Sequence, residues 1–269
     1  MNREIPSGEG REHALLDVVP PPHHLSKERT MTRISAALLV AASLTACSTH
    51  HVSAPLAPQW VTPNVLSPQE ERDGFHLLFD GTTLSGWRDF NRTDTFGWDV
   101  QDGTIHHAGD GADLMTVGEY KDFELRLDWK IAPGGNSGIF IRATEEYPEI
   151  YWSAPEMQVL DDAGHPDGQN RLTSAGSAYG LYAAPAGIVR TAGEWNQVRI
   201  VVRGHHVEHW MNGLKVVEYE LGSSDWAAKV AAGKFHQWPN YGKAPQGHIG
   251  VQVHGNEVWY RSVRIRVLN

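Results

Sequence analysis

From Phe75 to the C-terminus, apolar residues alternate with polar ones and turn signals recur at short intervals. Residues 123–131 show this most clearly. Phe123, Leu125, Leu127, Trp129 and Ile131 fall on one face, and Glu124, Arg126, Asp128 and Lys130 on the other, the period-two pattern of a strand with one buried face. Asp102-Gly103 between residues 98–100 and 104–106, and Asn212-Gly213 between 207–211 and 214–220, predict two tight hairpins, because these dipeptides accept the positive φ of the favoured two-residue turns. Further strands are expected over 138–143, 156–160, 195–203, 248–254 and 258–267, and one short peripheral helix over 224–234. Many short strands and little helix predict an all-β fold, a two-sheet antiparallel jelly roll or β-sandwich, over residues 74–269.

The N-terminal part of the chain has a different pattern. Residues 1–30 are polar, Pro-containing and aperiodic, and read as an extension outside the fold, with Met31 a plausible true start. Residues 31–46 carry Arg33 and then a 13-residue apolar run, Ile34–Ala46. That run is short for a membrane span but right for a signal-peptide core. It ends in Leu44-Thr45-Ala46-Cys47, which resembles the bacterial lipobox. The resemblance implies acylation of Cys47, a membrane partner through that lipid, and a cell-envelope location, with Ser48 favouring the outer membrane facing the periplasm. Residues 47–73 then read as lipidated cysteine and linker, since 48–74 hold four prolines and no clear period.

Composition narrows the chemistry. Cys47 is the single cysteine, so the domain has no internal disulfide. The formal charge of −9 belongs to the part after Cys47, because residues 1–47 carry five basic and five acidic side chains. An acidic domain repels phosphate backbones and is a poor partner for nucleic acid. Ten tryptophans suit core packing, and also the stacking platforms of sugar-binding proteins. Oligomeric state is not legible.

Alternation in three predicted strands selects a candidate polar face. Ile139 and Ile141 oppose Phe140 and Arg142; Met157 and Val159 oppose Glu156 and Gln158; Ile249, Val251 and Val253 oppose Gly250, Gln252 and His254. If these strands are neighbours, Arg142, Glu156, Gln158, Gln252 and His254 share a surface able to bind a polyhydroxylated ligand and to move protons. Tyr179 and Lys243 are further candidates for substrate binding, with Tyr182 able to line a cleft or simply pack. Asp161 and Asp162, with His165 and Asp167 following, are weak candidates for a divalent metal ion. No cofactor is otherwise implied.

Several stretches in order carry a family resemblance. They are Leu78-Phe79-Asp80-Gly81, Leu84-Ser85-Gly86-Trp87, Phe123-Glu124-Leu125, residues 135–142, residues 156–161, Gly193-Glu194-Trp195-Asn196, residues 209–213 and residues 247–255. The series resembles the 3-keto-disaccharide hydrolase domain family, and implies a concanavalin A-like lectin/glucanase fold and action on glycosides oxidised at C3. The family's last motif often reads Gln-Asp-His-Gly; here Val253 stands in place of the Asp. The chemistry of the C3 ketone, which acidifies the C2 proton, assigns His254 or Glu156 the acid and base roles. It gives Arg142, with Gln158 or a divalent ion, the stabilisation of an enolate. Two other readings stay open: a lectin-like module that binds glycans without cleaving them, and an ordinary glycosidase with two carboxylates.

Overall fold

The computed structural model describes residues 62–269; the signal segment and Cys47 lie outside the described residues. Thirteen strands are present among these: β1 (His76–Leu77), β2 (Trp87–Asp89), β3 (Trp98–Gln101), β4 (Thr104–His107), β5 (Leu114–Thr116), β6 (Phe123–Ile131), β7 (Asn136–Ala143), β8 (Glu156–Leu160), β9 (Asn196–Arg203), β10 (His206–Met211), β11 (Leu214–Glu220), β12 (His248–Val251) and β13 (Val258–Val267). They form two antiparallel sheets. The larger runs β11-β10-β9-β6-β13-β4-β3, with β1 also paired to β13, and the smaller runs β2-β5-β12-β7-β8. This is the predicted β-sandwich. Both Asn/Asp-Gly hairpins form, with Asp102 at φ 49° and Asn212 at φ 50° ahead of their glycines.

The core lies between the sheets. Leu125, Leu127 and Trp129 of β6, Ile200 and Val202 of β9, and Tyr260 and Ile265 of β13 meet Leu114, Ile139, Ile141, Met157, Val159, Ile249 and Val251 of the smaller sheet. The smaller sheet is covered on its other side too. Phe90, Met115, Phe140, Ala143, Ile150 and Ala154 form a second apolar cluster there, with Ile150 brought in by a 3-10 turn over Ile150–Trp152. Gly250 makes this possible, because a Cβ there would sit 2.5 Å from Ile150 Cδ1.

The stretch read as linker is ordered from residue 62 onward and belongs to the domain. Helix α1 (Pro68–Arg72) has a complete capping box: Ser67 Oγ accepts from the Glu70 amide, and the Glu70 carboxylate accepts from the Ser67 amide. The other Glu70 oxygen accepts from Arg264 Nε at 2.6 Å and faces Arg126 at 3.5 Å. Asn64 fills a bulge in β13, where Ser262 and Val263 together oppose the single residue Leu127 of β6 and Ser262 takes φ 54°. Its Oδ1 accepts from the Ser262 amide and its Nδ2 donates to Gly103 O. The proline content of this stretch hid the cap, which needs only Ser67, Pro68 and Glu70. The predicted helix is also present as α2 (Ser224–Ala232), followed by a separate 3-10 turn, Lys234–Gln237.

Glu70 should therefore be a stabilising residue. Glu70→Ala is expected to lower the unfolding free energy by about 1–3 kcal/mol, because it leaves buried donors and Arg264 without their acceptor. Urea denaturation should show a lower midpoint at unchanged slope, with the exposed neighbour Glu71→Ala as the control.

Candidate active site

A cavity of about 750 Å³ opens on the outer face of the smaller sheet. Its floor is made by adjacent strands. On β7, alternation puts Asn136, Gly138 and Phe140 outward; on β8 it does the same for Glu156 and Gln158; and β12 runs out into Gln252. Gly138 pairs with Gln158, and a Cβ on it would lie 2.0 Å from Glu156 Oε1. The missing side chain is thus the space in which the Glu156 carboxyl lies against the sheet.

This floor is buried yet incompletely hydrogen-bonded. Gln158 is 1% exposed, and neither its Nε2 nor its Oε1 has a protein partner; Asn136 Oδ1 is in the same state. A buried polar group without a partner costs about 1–3 kcal/mol. Here the amides line a cavity, where hydroxyls that both donate and accept can satisfy them.

Carboxyls surround the floor. Burial pushes Glu156 up to about 8, against the opposing pull of Lys234 and with Asp113 and Asp167 adding to the rise. Burial likewise pushes Asp113 up to about 7, although its Oδ1 accepts from the Val253 amide at 2.8 Å. Tyr179 lies 3.4 Å from Asp167 Oδ2 through its hydroxyl and is pushed up to about 12, first by burial and then by the Asp167 and Glu156 charges. His165 accepts from the Asp167 amide through Nδ1, which leaves Nε2 to carry its ring proton in the neutral form. His254 is at the exposed rim, its ring 6.4 Å from that of His165 and edge-on to it.

Of the residues picked from sequence, the cavity brings together Glu156, Gln158, Gln252, His254, Tyr179, His165 and Asp167. Arg142 is elsewhere. Ile141 and Arg142 together oppose the single residue Ile249, a bulge that takes Arg142 to φ 51° and breaks the alternation on which its placement rested. Its guanidinium, 5% exposed, donates to Lys121 O and Gly204 O and pairs with Asp122 at 3.2 Å. There it holds connecting loops to the sheet. Lys243 also lies outside, lining a separate apolar pocket with Trp226, Trp238 and Tyr241. Tyr182 packs, stacked 5.1 Å from Tyr219, with its hydroxyl on Asp225.

The candidate metal ligands do not converge. Asp161 accepts from the Gly134 and Ala163 amides; Asp162 accepts from the Ala175 amide and pairs with Arg171. Among the described residues, the one clustered trio of possible ligands is His206, Glu208 and Glu218 on the β10–β11 hairpin, where Lys215 already contacts both glutamates. Strand β12 ends at Val251, earlier than expected, so Val253 is half-buried and lines the cavity. None of the tryptophans among the described residues lines it; the Phe and Tyr side chains that do are Phe90, Tyr151 and Tyr179. Sequence reasoning missed Asn136, Asp113, Glu149, Tyr151 and Lys234. Asn136 and Asp113 are legible in hindsight as outward positions in phase with Gly138 and Met115.

A family model for the 3-keto-alpha-glucoside-1,2-lyase-like domain matches residues 74–266. The chain belongs to this family. A 3-keto-disaccharide hydrolase of Bacteroides thetaiotaomicron is 36% identical, with 74% of this chain and 80% of that protein covered. A Parabacteroides distasonis protein described as a glycosyl hydrolase has a crystal structure that superposes with a TM-score of 0.73 at 34% identity, covering 77% of this chain and 100% of that one. A second from the same organism gives 0.61 at 29% identity, covering 72% and 99%. The chain is an enzyme of the glycoside-cleaving kind.

The raised Glu156 has a consequence for stability. Its carboxyl moves from 4.5 to about 8 on folding, so the folded state holds the extra proton between these values. Stability from this group is full below pH 4.5 and falls as pH rises toward 8. Glu156→Gln should therefore unfold at a higher temperature than the parent at pH 8, and the difference should close near pH 4; calorimetry at the two pH values checks this.

Proposed function

We propose that the domain cleaves 3-keto-glycosides by removing the C2 proton, eliminating the C1 aglycone and adding water to the resulting enone. The observation that carries this reading is a carboxyl pushed up to about 8, lying on a floor of unpartnered amides. At neutral pH Glu156 holds a proton. It gives that proton to the departing C1 oxygen, and the carboxylate so formed activates the water that adds at C1. His254, at the rim, removes the C2 proton and returns it during hydration. Gln158, Asn136 and Gln252 bind ring hydroxyls. The ketone explains why a strong nucleophile is not required: the carbonyl at C3 acidifies the C2 proton, and the C1 substituent is correctly placed to leave.

The relative's name supports this substrate class, as does the ordered motif series. A second reading has its own support. Asp113 and Asp167 line the same cavity and provide Glu156 with acidic neighbours, as hydrolysis of an unoxidised glycoside would use. We further propose that the enzyme is exported and anchored through Cys47 at the cell envelope, on the strength of the apolar run and the lipobox-like end of residues 31–47.

The test is incubation with a 3-keto-glycoside and with its unoxidised parent. Cleavage of the keto form alone is expected; cleavage of both favours the ordinary glycosidase, and cleavage of neither leaves a binding module. On the keto substrate, kcat should fall above about pH 8, where Glu156 loses its proton. His254→Ala should lower kcat by roughly 10²–10⁴-fold, the range for a positioned acid or base. For the anchor, Cys47→Ala should move the protein from the membrane to the soluble fraction; retention in the membrane would rule the lipid out.

A further inference from the structure

The reaction proposed above builds negative charge on the C3 oxygen when the C2 proton leaves. Arg142 is turned away from the cavity, so that charge needs another partner. Lys234 is the one Lys or Arg side chain among the residues lining the cavity. It is the first residue of the 3-10 turn after α2, and its neighbour Phe235, 2% exposed and stacked 4.2 Å from Tyr241, fixes that turn to the core.

The surroundings of the ammonium are unusual for a lysine. Its Nζ lies 4.4 Å from the centre of the Tyr179 ring, 5.3 Å from that of Phe235 and 5.4 Å from that of Tyr151. Ring faces attract a cation without accepting its N–H bonds in the usual geometry. Lys234 forms no salt bridge within 4.0 Å and no side-chain hydrogen bond to a described residue, whereas Arg88, Arg126, Arg142, Arg264 and Arg266 are all paired. Glu156 and Asp167 are near enough to act on its charge but not to form a contact pair. The result is a cation held in an aromatic cradle at the cavity wall, with its donors available to a ligand.

We propose that Lys234 is a catalytic residue, whose ammonium hydrogen-bonds the C3 carbonyl oxygen and stabilises the enolate formed there. This rests on the 3-keto-glycoside reading. In the step, the base takes the C2 proton, the C2–H electron pair forms the C2=C3 bond, and the C3=O pair moves onto oxygen facing Nζ. That pair then restores C3=O, the C2=C3 pair forms C1=C2, the C1–O bond breaks with its electrons on oxygen, and the leaving oxygen takes the Glu156 proton. No proton leaves Lys234 and no bond to it forms. Burial holds its amine below the ordinary lysine value, which strengthens it as a donor.

The experiment uses the purified protein, a nitrophenyl 3-keto-glucoside, and two readouts. One is nitrophenol release; the other is exchange of the C2 hydrogen for deuterium, followed by NMR. Lys234→Met and Lys234→Gln are expected to lower both by roughly 10²–10³-fold, the range for losing one oxyanion donor, with the change mainly in kcat rather than KM. Lys234→Arg should recover part of the loss, because a guanidinium keeps the charge and its donors. C2 exchange at the parental rate in Lys234→Met or Lys234→Gln overturns the proposal. So does a sugar adduct on the parent protein after borohydride treatment, which would mean an imine. Parent protein that leaves the keto-glycoside intact overturns the functional reading itself, and that outcome is distinct from an active parent with active Lys234 variants.

Discussion

The site depends on one steric allowance: at Gly138 the sheet has no side chain, and the Glu156 carboxyl occupies that space. Lying there, the carboxyl is largely withdrawn from water and lacks a protein donor, so it keeps its proton into the neutral range. Gln158 and Asn136 extend the same condition along neighbouring positions. A sheet face of this kind is less stable than one whose amides are paired. It is tolerable because the apolar cluster around Phe140 and Ile150 shelters the rest of that face.

The two sheets divide structural and chemical duties. The outer face of the larger sheet is closed by its own contacts. Arg266 and Arg126 converge on Glu124, Arg261 meets Asp128, and cations lie over tryptophan faces: Lys130 on Trp259 at 4.0 Å, Arg261 on Trp195 at 3.9 Å and Arg199 on Trp210 at 4.1 Å. Trp195, Trp210 and Trp259, three of the tryptophans whose number suggested sugar platforms, are thus occupied as partners for cations. The smaller sheet has few such pairs on its outer face, and its polar groups face the cavity instead.

Period-two alternation recovers the long strands and the core because burial of one face imposes it, and Glu156, Gln158 and Gln252 were legible from that alone. It fails wherever the period itself breaks. The bulge at Ile141–Arg142 carries the arginine out of phase, and the early end of β12 leaves Val253 half-buried, packed against the core and also lining the cavity. Lys234 was hidden for another reason. It follows a surface helix, and only the anchoring of Phe235 against Tyr241 brings it to the cavity. Short β2 and β5 escaped as well, since three residues are too few to show a period.

Asn64 in the β13 bulge, with the Glu70–Arg264 pair beside it, has a mechanical meaning. Tension on the chain ahead of residue 62 enters the domain at these two points, both on the larger sheet. The load is shared across β13 and its neighbour β6, in the longest strand pairing among the described residues. None of it passes first through β7, β8 or β12. The cavity floor is carried on the other sheet, so a molecule held by its N-terminal end can be pulled without that floor being bent.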